Sequence, residues 1–176
     1  LKYIGIDPGT KGAMVCVEND EIIDRVQFTP KPLTTKGWAK YELDGDQVGA
    51  FIFRPHVQDS NFAAIETFNP MKNNNNSTIA TLFRSIGLIE GILFAAGIPT
   101  VHIVTGDWQR RYNLIGKDKK ESIRVAQVLF PNIGKLLVKQ ADIAEAAIIG
   151  NYAKRYHLPL LKRASDEDTA GNSRKN

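Results

Sequence analysis

A chain of 176 residues, 43% of them hydrophobic, with a net charge of +4, is long enough for one domain with a packed core and short for two. This composition excludes a fibrous or wholly disordered protein, and a single cysteine, Cys16, excludes a disulfide framework. The positive charge gathers at Arg110 to Lys120 and again from Lys154 onward, which fits a polyanionic partner such as nucleic acid and equally fits solvated helix faces.

The segments "KYIGID", "AMVCVE" and "EIIDRVQF" read as consecutive strands, joined by turns at "PGTKG" and "END". Connections this short imply an antiparallel meander. Charges and glycines interrupt the opening strand, so no signal peptide is expected. Cys16 sits in an apolar strand pattern and reads as a buried core thiol, which points to a reducing cytoplasm. Residues 29–44 contain Pro30, Pro32 and Gly37 and read as a loop, followed by a short helix from Asp46 to Phe53.

"FAAIETF" is a fourth strand, apolar until Glu66, and its run predicts burial on both faces. "NPMKNNNNST" is a polar loop with an asparagine run, expected to be mobile and exposed. From Ser77 to Gly97 the residues Ile79, Leu82, Phe83, Ile86, Leu93 and Phe94 recur at helical spacing, with Ser77 as cap and Gly97 and Pro99 as the stop. Gly87, Gly91 and Ala95 lie four apart and make a smooth stripe that another backbone could approach. The apolar stretch "IGLIEGILFAAGIP" is too short for a membrane span and carries Glu90, so no membrane partner is expected. "PTVHIV" is a fifth strand. "DKKESIRVAQVLF" is a helix in which Asp118 and Glu121 have capping-box spacing, and "ADIAEAAIIGNYAKRY" is a last helix stopped by "HLP". The apolar-free end, "ASDEDTAGNSRKN", is expected to be disordered.

Four acids stand where propensity would not put them. Asp7 ends the first strand, Glu66 ends the fourth, and Asp142 and Glu145 share one face of an Ala/Ile-rich helix. Each has a plain reading: Asp7 as a turn former, Glu66 as a solvated strand end, the helical pair as partners of the helix dipole. Together they read differently. If the first and fourth strands are neighbours, Asp7 and Glu66 converge, and two carboxylates about 5 Å apart repel by roughly 3 kcal/mol at an effective dielectric of about 20. Such a cluster calls for cations. Hard divalent ions take oxygen ligands, and a pair of them can activate a water and stabilise the leaving oxygen of a phosphodiester.

"GIDPGT", then "AIETF", then "ADIAEAAIIG", in that order and spacing, resembles the RuvC family of Holliday-junction resolvases over Lys2 to about Tyr156. The asparagine run and the glycine-bearing helix look closer to the phage-borne branch of that family. The resemblance implies an α/β, RNase H-like fold: a mixed five-stranded sheet, three antiparallel strands then parallel strands, with helices on both faces. It implies a nuclease domain over 1–163 and a disordered tail over 164–176. Its activity would be Mg²⁺-dependent endonucleolytic resolution of Holliday junctions, in DNA recombination and repair, by a homodimer. Two Mg²⁺ ions per site are implied, with Mn²⁺ as a substitute, and a three-way junction or fork is an alternative substrate.

Residue by residue, the family's metal-binding acids fall on Asp7, Glu66, Asp142 and Glu145, the last a glutamate where the family usually has aspartate. Its catalytic basic residue falls on Lys120, beyond Gly116, and a second family lysine falls at Gln109, with Arg110 as its substitute. The family's base-opening aromatic is matched by Phe68, one position early, with Met71 as a further apolar wedge. Lys72, Arg110, Arg111, Lys117 and Lys119 would track phosphates. The location implied is the cytoplasm, that of a bacterial host if the chain is phage-encoded. Two other readings remain: a junction-binding module of the same fold without turnover, and an actin/hexokinase-type nucleotide-binding protein, which would need a second lobe.

Overall fold

The computed structural model describes residues 1–33, 40–67, 76–132 and 140–159. Phe68, Met71 and Lys72, most of the asparagine loop and the tail lie outside these residues.

Short apolar runs with tight turns between them put the first three strands, β1 (Lys2–Asp7), β2 (Ala13–Glu18) and β3 (Glu21–Gln27), into an antiparallel meander in which β1 and β2 are buried on both faces. The β2–β3 turn places Asn19 at φ 51° and Asp20 at φ 67°, the left-handed pair that a two-residue hairpin of the strands' twist demands. The segment expected as loop contains a two-stranded ribbon, β4 (Lys31–Pro32) with β5 (Tyr41–Glu42), whose strands are too short to leave a periodic pattern. Helix α1 (Gly45–Ile52) follows, capped by Asp44, which accepts from the Asp46 amide at 3.1 Å.

β6 (Phe62–Thr67) pairs parallel to β1, and β7 (Thr100–Val104) pairs parallel to β6, giving the order β3-β2-β1-β6-β7. This is the mixed sheet expected. Between the last two strands runs α2 (Asn76–Ala95), so that Ser77 lies inside the first turn rather than capping it. Gly97, at φ 71°, ends α2 in a Schellman motif: Ile98 N–H donates to the Leu93 carbonyl and Gly97 N–H to that of Phe94, both at 3.0 Å. α2 is long and apolar enough by length and composition to cross a membrane, but its Ile86, Ile89 and Leu93 are packed into the core beside the sheet.

After β7 the chain enters a short helix that the sequence did not suggest, α3 (Thr105–Arg111), then α4 (Lys119–Leu129) and α5 (Ala141–Tyr152). Asp118 caps α4 by accepting from the Lys120 amide at 2.8 Å, but not as the expected capping box, because Glu121 turns to Arg124. Helical backbone runs on from α5 through a π-helical turn, Ala153–His157, and residues 158–159, past the stop expected at "HLP".

The two core clusters follow from strand alternation. Ile4, Ile6, Met14, Cys16, Ala63 and Ile65 meet α1 and α2, whereas Tyr3, Val15, Val17, Phe62 and Ala64 meet α4 and α5. Helices therefore cover both faces. Cys16 is fully buried as expected, and burial pushes its thiol up to about 11.

Candidate metal centre

The path of α5 across β1 assembles the site. Gly5 has no Cβ to hold α5 off, Ala144, Ala146 and Ala147 are fully buried, and Gly150 rests against Tyr3. With Gly150 over Tyr3 and Ala146 over Gly5, α5 runs antiparallel to β1. Eight helical residues back from Gly150 and four strand residues on from Tyr3 each span about 12–13 Å. This match of rises carries Asp142 and Glu145 to the level of Asp7. Carboxylate oxygens of Asp7, Asp142 and Glu145 all lie within 4.8 Å of one another.

Asp7 is both turn former and site residue. Its Oδ1 accepts from the Gly9 amide at 3.1 Å, and Gly12 packs so closely that a Cβ there would stand 2.1 Å from the Asp7 carbonyl oxygen. The turn thereby fixes the carboxylate at a rigid strand end. Glu66 follows Ile65, the in-register neighbour of Ile6, so strand alternation assigns it to the same sheet face as Asp7. It stands outside the triad, its Oε1 accepting from the indole Nε1 of buried Trp108 at 3.0 Å. Asp7 and Glu66 together line one end of a groove of about 480 Å³ that continues along the first turns of α2, past Ser77, Thr78 and Thr81.

The electrostatics record the crowding. Burial, then the charge of Glu66, raises Asp7 to about 7 against the opposing Gly9 hydrogen bond, with Glu145 and Asp142 adding to the rise. Burial also raises Glu66, against the hydrogen bonds of Trp108 and Thr105. Glu145 is raised by burial as well, although the Lys119 charge and the Ser122 hydroxyl, 3.2 Å from Oε1, oppose it.

One cation already answers this charge. Lys119 Nζ lies 2.8 Å from Asp142 Oδ1 and 3.5 Å from Glu145 Oε2. Burial works against its charge, but the hydrogen bond to Asp142 and the charges of Glu145, Asp142 and Asp7 outweigh it and raise its pKa. Gln27 donates to Asp142 Oδ2 at 3.0 Å from the end of β3. An all-oxygen donor set, preorganised and already drawing an ammonium, fits a hard divalent cation, and the three carboxylates could together hold one.

The neighbouring Lys120 is exposed, and its backbone amide donates to the Asp118 cap. Arg110, Arg111 and Lys117 are exposed on α3 and the α3–α4 connection. Gln27, Thr105, Trp108 and Ser122 were not singled out by the sequence reading. The signal for Trp108 was "VTGDWQRR", a lone tryptophan one turn into a helix that starts at a strand end.

No protein-family model matches the chain, and no curated protein does. Among solved structures it is similar to RuvC of Thermus thermophilus in complex with a Holliday junction substrate, at 15% identity and TM-score 0.58, over 85% of this chain and 90% of that one. It is similar also to a second Thermus thermophilus RuvC structure, at 14% identity and TM-score 0.58, over 88% of this chain and 96% of that one. The chain thus has the RNase H-like fold of RuvC, with an acidic cluster at the end of its first strand.

Proposed function

We propose that the protein is a metal-dependent, structure-selective endonuclease that resolves Holliday junctions and related branched DNA by hydrolysing phosphodiester bonds. The observation that carries the reading is the convergence of Asp7, Asp142 and Glu145 within 4.8 Å on a RuvC-type fold, beside Glu66. Mg²⁺, or Mn²⁺ in its place, would supply an activated water and charge stabilisation at the leaving oxygen, and Glu66 would extend the donor set to a second ion. β1 and its turn hold Asp7 still, Gln27 orients Asp142, and Trp108 fixes Glu66. Lys119 exchanges its ion pairs for the scissile phosphate, where a cation stabilises developing charge. Lys120, Lys117 and Lys72 contact the flanking phosphates, as do Arg110 and Arg111, while Phe68 and Met71 serve as the wedge at the crossover.

A junction has two strands to cut, which suits a twofold dimer with an active site in each protomer. The outer face of α2 supports that assembly: Phe94 is 88% exposed and Leu88 38%, while Gly87 and Gly91 have open space where a Cβ would be. The asparagine run supports a place in the phage-borne branch, acting in a bacterial host's cytoplasm.

Incubating the protein with a synthetic four-way junction and Mg²⁺ tests the reading. Paired, metal-dependent nicks are expected. DNA bound but left intact would instead favour the non-catalytic binding module.

A further inference from the structure

The far end of α5 carries a second constellation that the carboxylate site does not use. The π-helical turn Ala153–His157 interrupts regular helix there, a distortion frequent at functional sites. Tyr152 and Tyr156 meet at 5.6 Å between ring centroids, and Tyr112 meets Tyr156 nearly edge-on at 6.5 Å. Across from them, Arg111 of α3 lays its guanidinium 4.1 Å over the Tyr156 ring. With Arg110, Asp107 and Asn113, Arg111 and two of the tyrosines line an open cleft of about 530 Å³.

The chemistry of the cleft is a stacking platform with anion-binding groups at its rim. A guanidinium over a tyrosine ring is a planar cation on which an aromatic base can stack, and its N–H groups can bond a phosphate. Among the described residues Arg110 pairs with Asp107, at 3.4 Å and with both side chains at least half exposed, a pair worth little that a phosphate can displace. Asp107 is the one acid among the lining residues.

We propose that this cleft binds single-stranded DNA: an unpaired base stacks on the Arg111–Tyr156 platform while Arg110 takes an adjoining phosphate. A duplex could satisfy the arginines through its backbone, but its bases have no free face to offer the platform. The position fits a strand that leaves the carboxylates. Trp108, bonded to Glu66, and Arg111 stand one turn apart on α3, about 5 Å along its axis. The inference rests on the nucleic-acid part of the reading above and not on cleavage.

The test is fluorescence anisotropy with a labelled short oligothymidylate and a duplex of equal length, in metal-free buffer with EDTA. Arg111→Lys keeps the charge and loses the plane, and Tyr156→Leu loses the ring. Each is expected to weaken oligothymidylate binding by about fivefold to a hundredfold and to weaken duplex binding by a clearly smaller factor. Tyr156→Phe keeps the ring and is expected to bind as wild type does. Circular dichroism melts report whether Tyr156→Leu is folded, and Arg111→Lys, on an exposed residue, carries the test if it is not. Wild-type oligothymidylate binding by Arg111→Lys, or an equal loss on both DNAs, overturns the proposal, as does a wild-type protein that ignores the single strand. Junction cutting by the same proteins in Mg²⁺ is scored separately. Cutting without this binding pattern overturns the cleft alone, and the pattern without cutting supports the cleft and removes the nuclease.

Discussion

A Cβ built on Gly5 would stand 2.0 Å from the carbonyl oxygen of Ala146, so the backbone of α5 rests directly on β1. Backbone cannot yield as a flexible side chain does. Gly5→Ala must lift α5, and overpacking of this kind costs about 3 kcal/mol. A lower urea midpoint is expected, with loss of cleavage at temperatures where the variant is still folded, because Asp142 and Glu145 ride on the displaced helix. Unchanged stability would mean that the close approach is not what sets the site.

Two adjacent lysines separate the geometry from the resemblance. Lys119 sits on the carboxylates and Lys120 does not. Lys119→Ala is expected to lower the rate of junction cleavage by about a hundredfold to a thousandfold, the scale of a lost electrostatic stabiliser. Lys120→Ala should have the smaller effect, expressed as weaker, salt-sensitive binding. Single-turnover cleavage and binding of both variants decide it, and the reverse order would return the role to Lys120.

Asp7 makes stability depend on pH. Burial and the Glu66 charge raise it from 3.8 to about 7. Between those values the folded state holds a proton that the unfolded state has lost, so stability falls as pH rises through the window and stays low above it. A divalent cation held by these acids would reverse the trend, since it would bind the deprotonated carboxylate and displace the proton. The expected thermal melts show Tm falling across the window in EDTA, with Mg²⁺ raising Tm most at its alkaline end. Asp7→Asn should flatten the EDTA profile.

The outer face of α2 gives a test of assembly. Phe94→Glu places a charge on a side chain that is 88% exposed, so the protomer fold should be untouched. Sedimentation velocity is expected to show wild-type dimers and monomeric Phe94→Glu. Monomers in both would remove α2 as the dimer element.

Much of this arrangement was legible because it is written locally. Short apolar runs bounded by turns located β1, β2 and β6, Gly97 announced the end of α2, and the order of Asp7, Glu66, Asp142 and Glu145 announced the cluster. What was hidden depends on contacts that local sequence does not encode. Trp108 reaches Glu66 across 42 positions only because β6 and β7 pair in parallel. The choice between Lys119 and Lys120 is one of helical phase, set where the Asp118 cap starts α4. The ribbon β4–β5 pairs two residues with two, too few for any period to emerge.

The central claim is that the four acids form a metal-dependent cutting site, and Asp7→Asn tests it most directly. Wild type and variant are compared on one labelled four-way junction, with cleavage measured in Mg²⁺ and binding measured in EDTA. The account predicts that Asp7→Asn abolishes cleavage and binds the junction as wild type does. Undiminished cleavage by Asp7→Asn would contradict it.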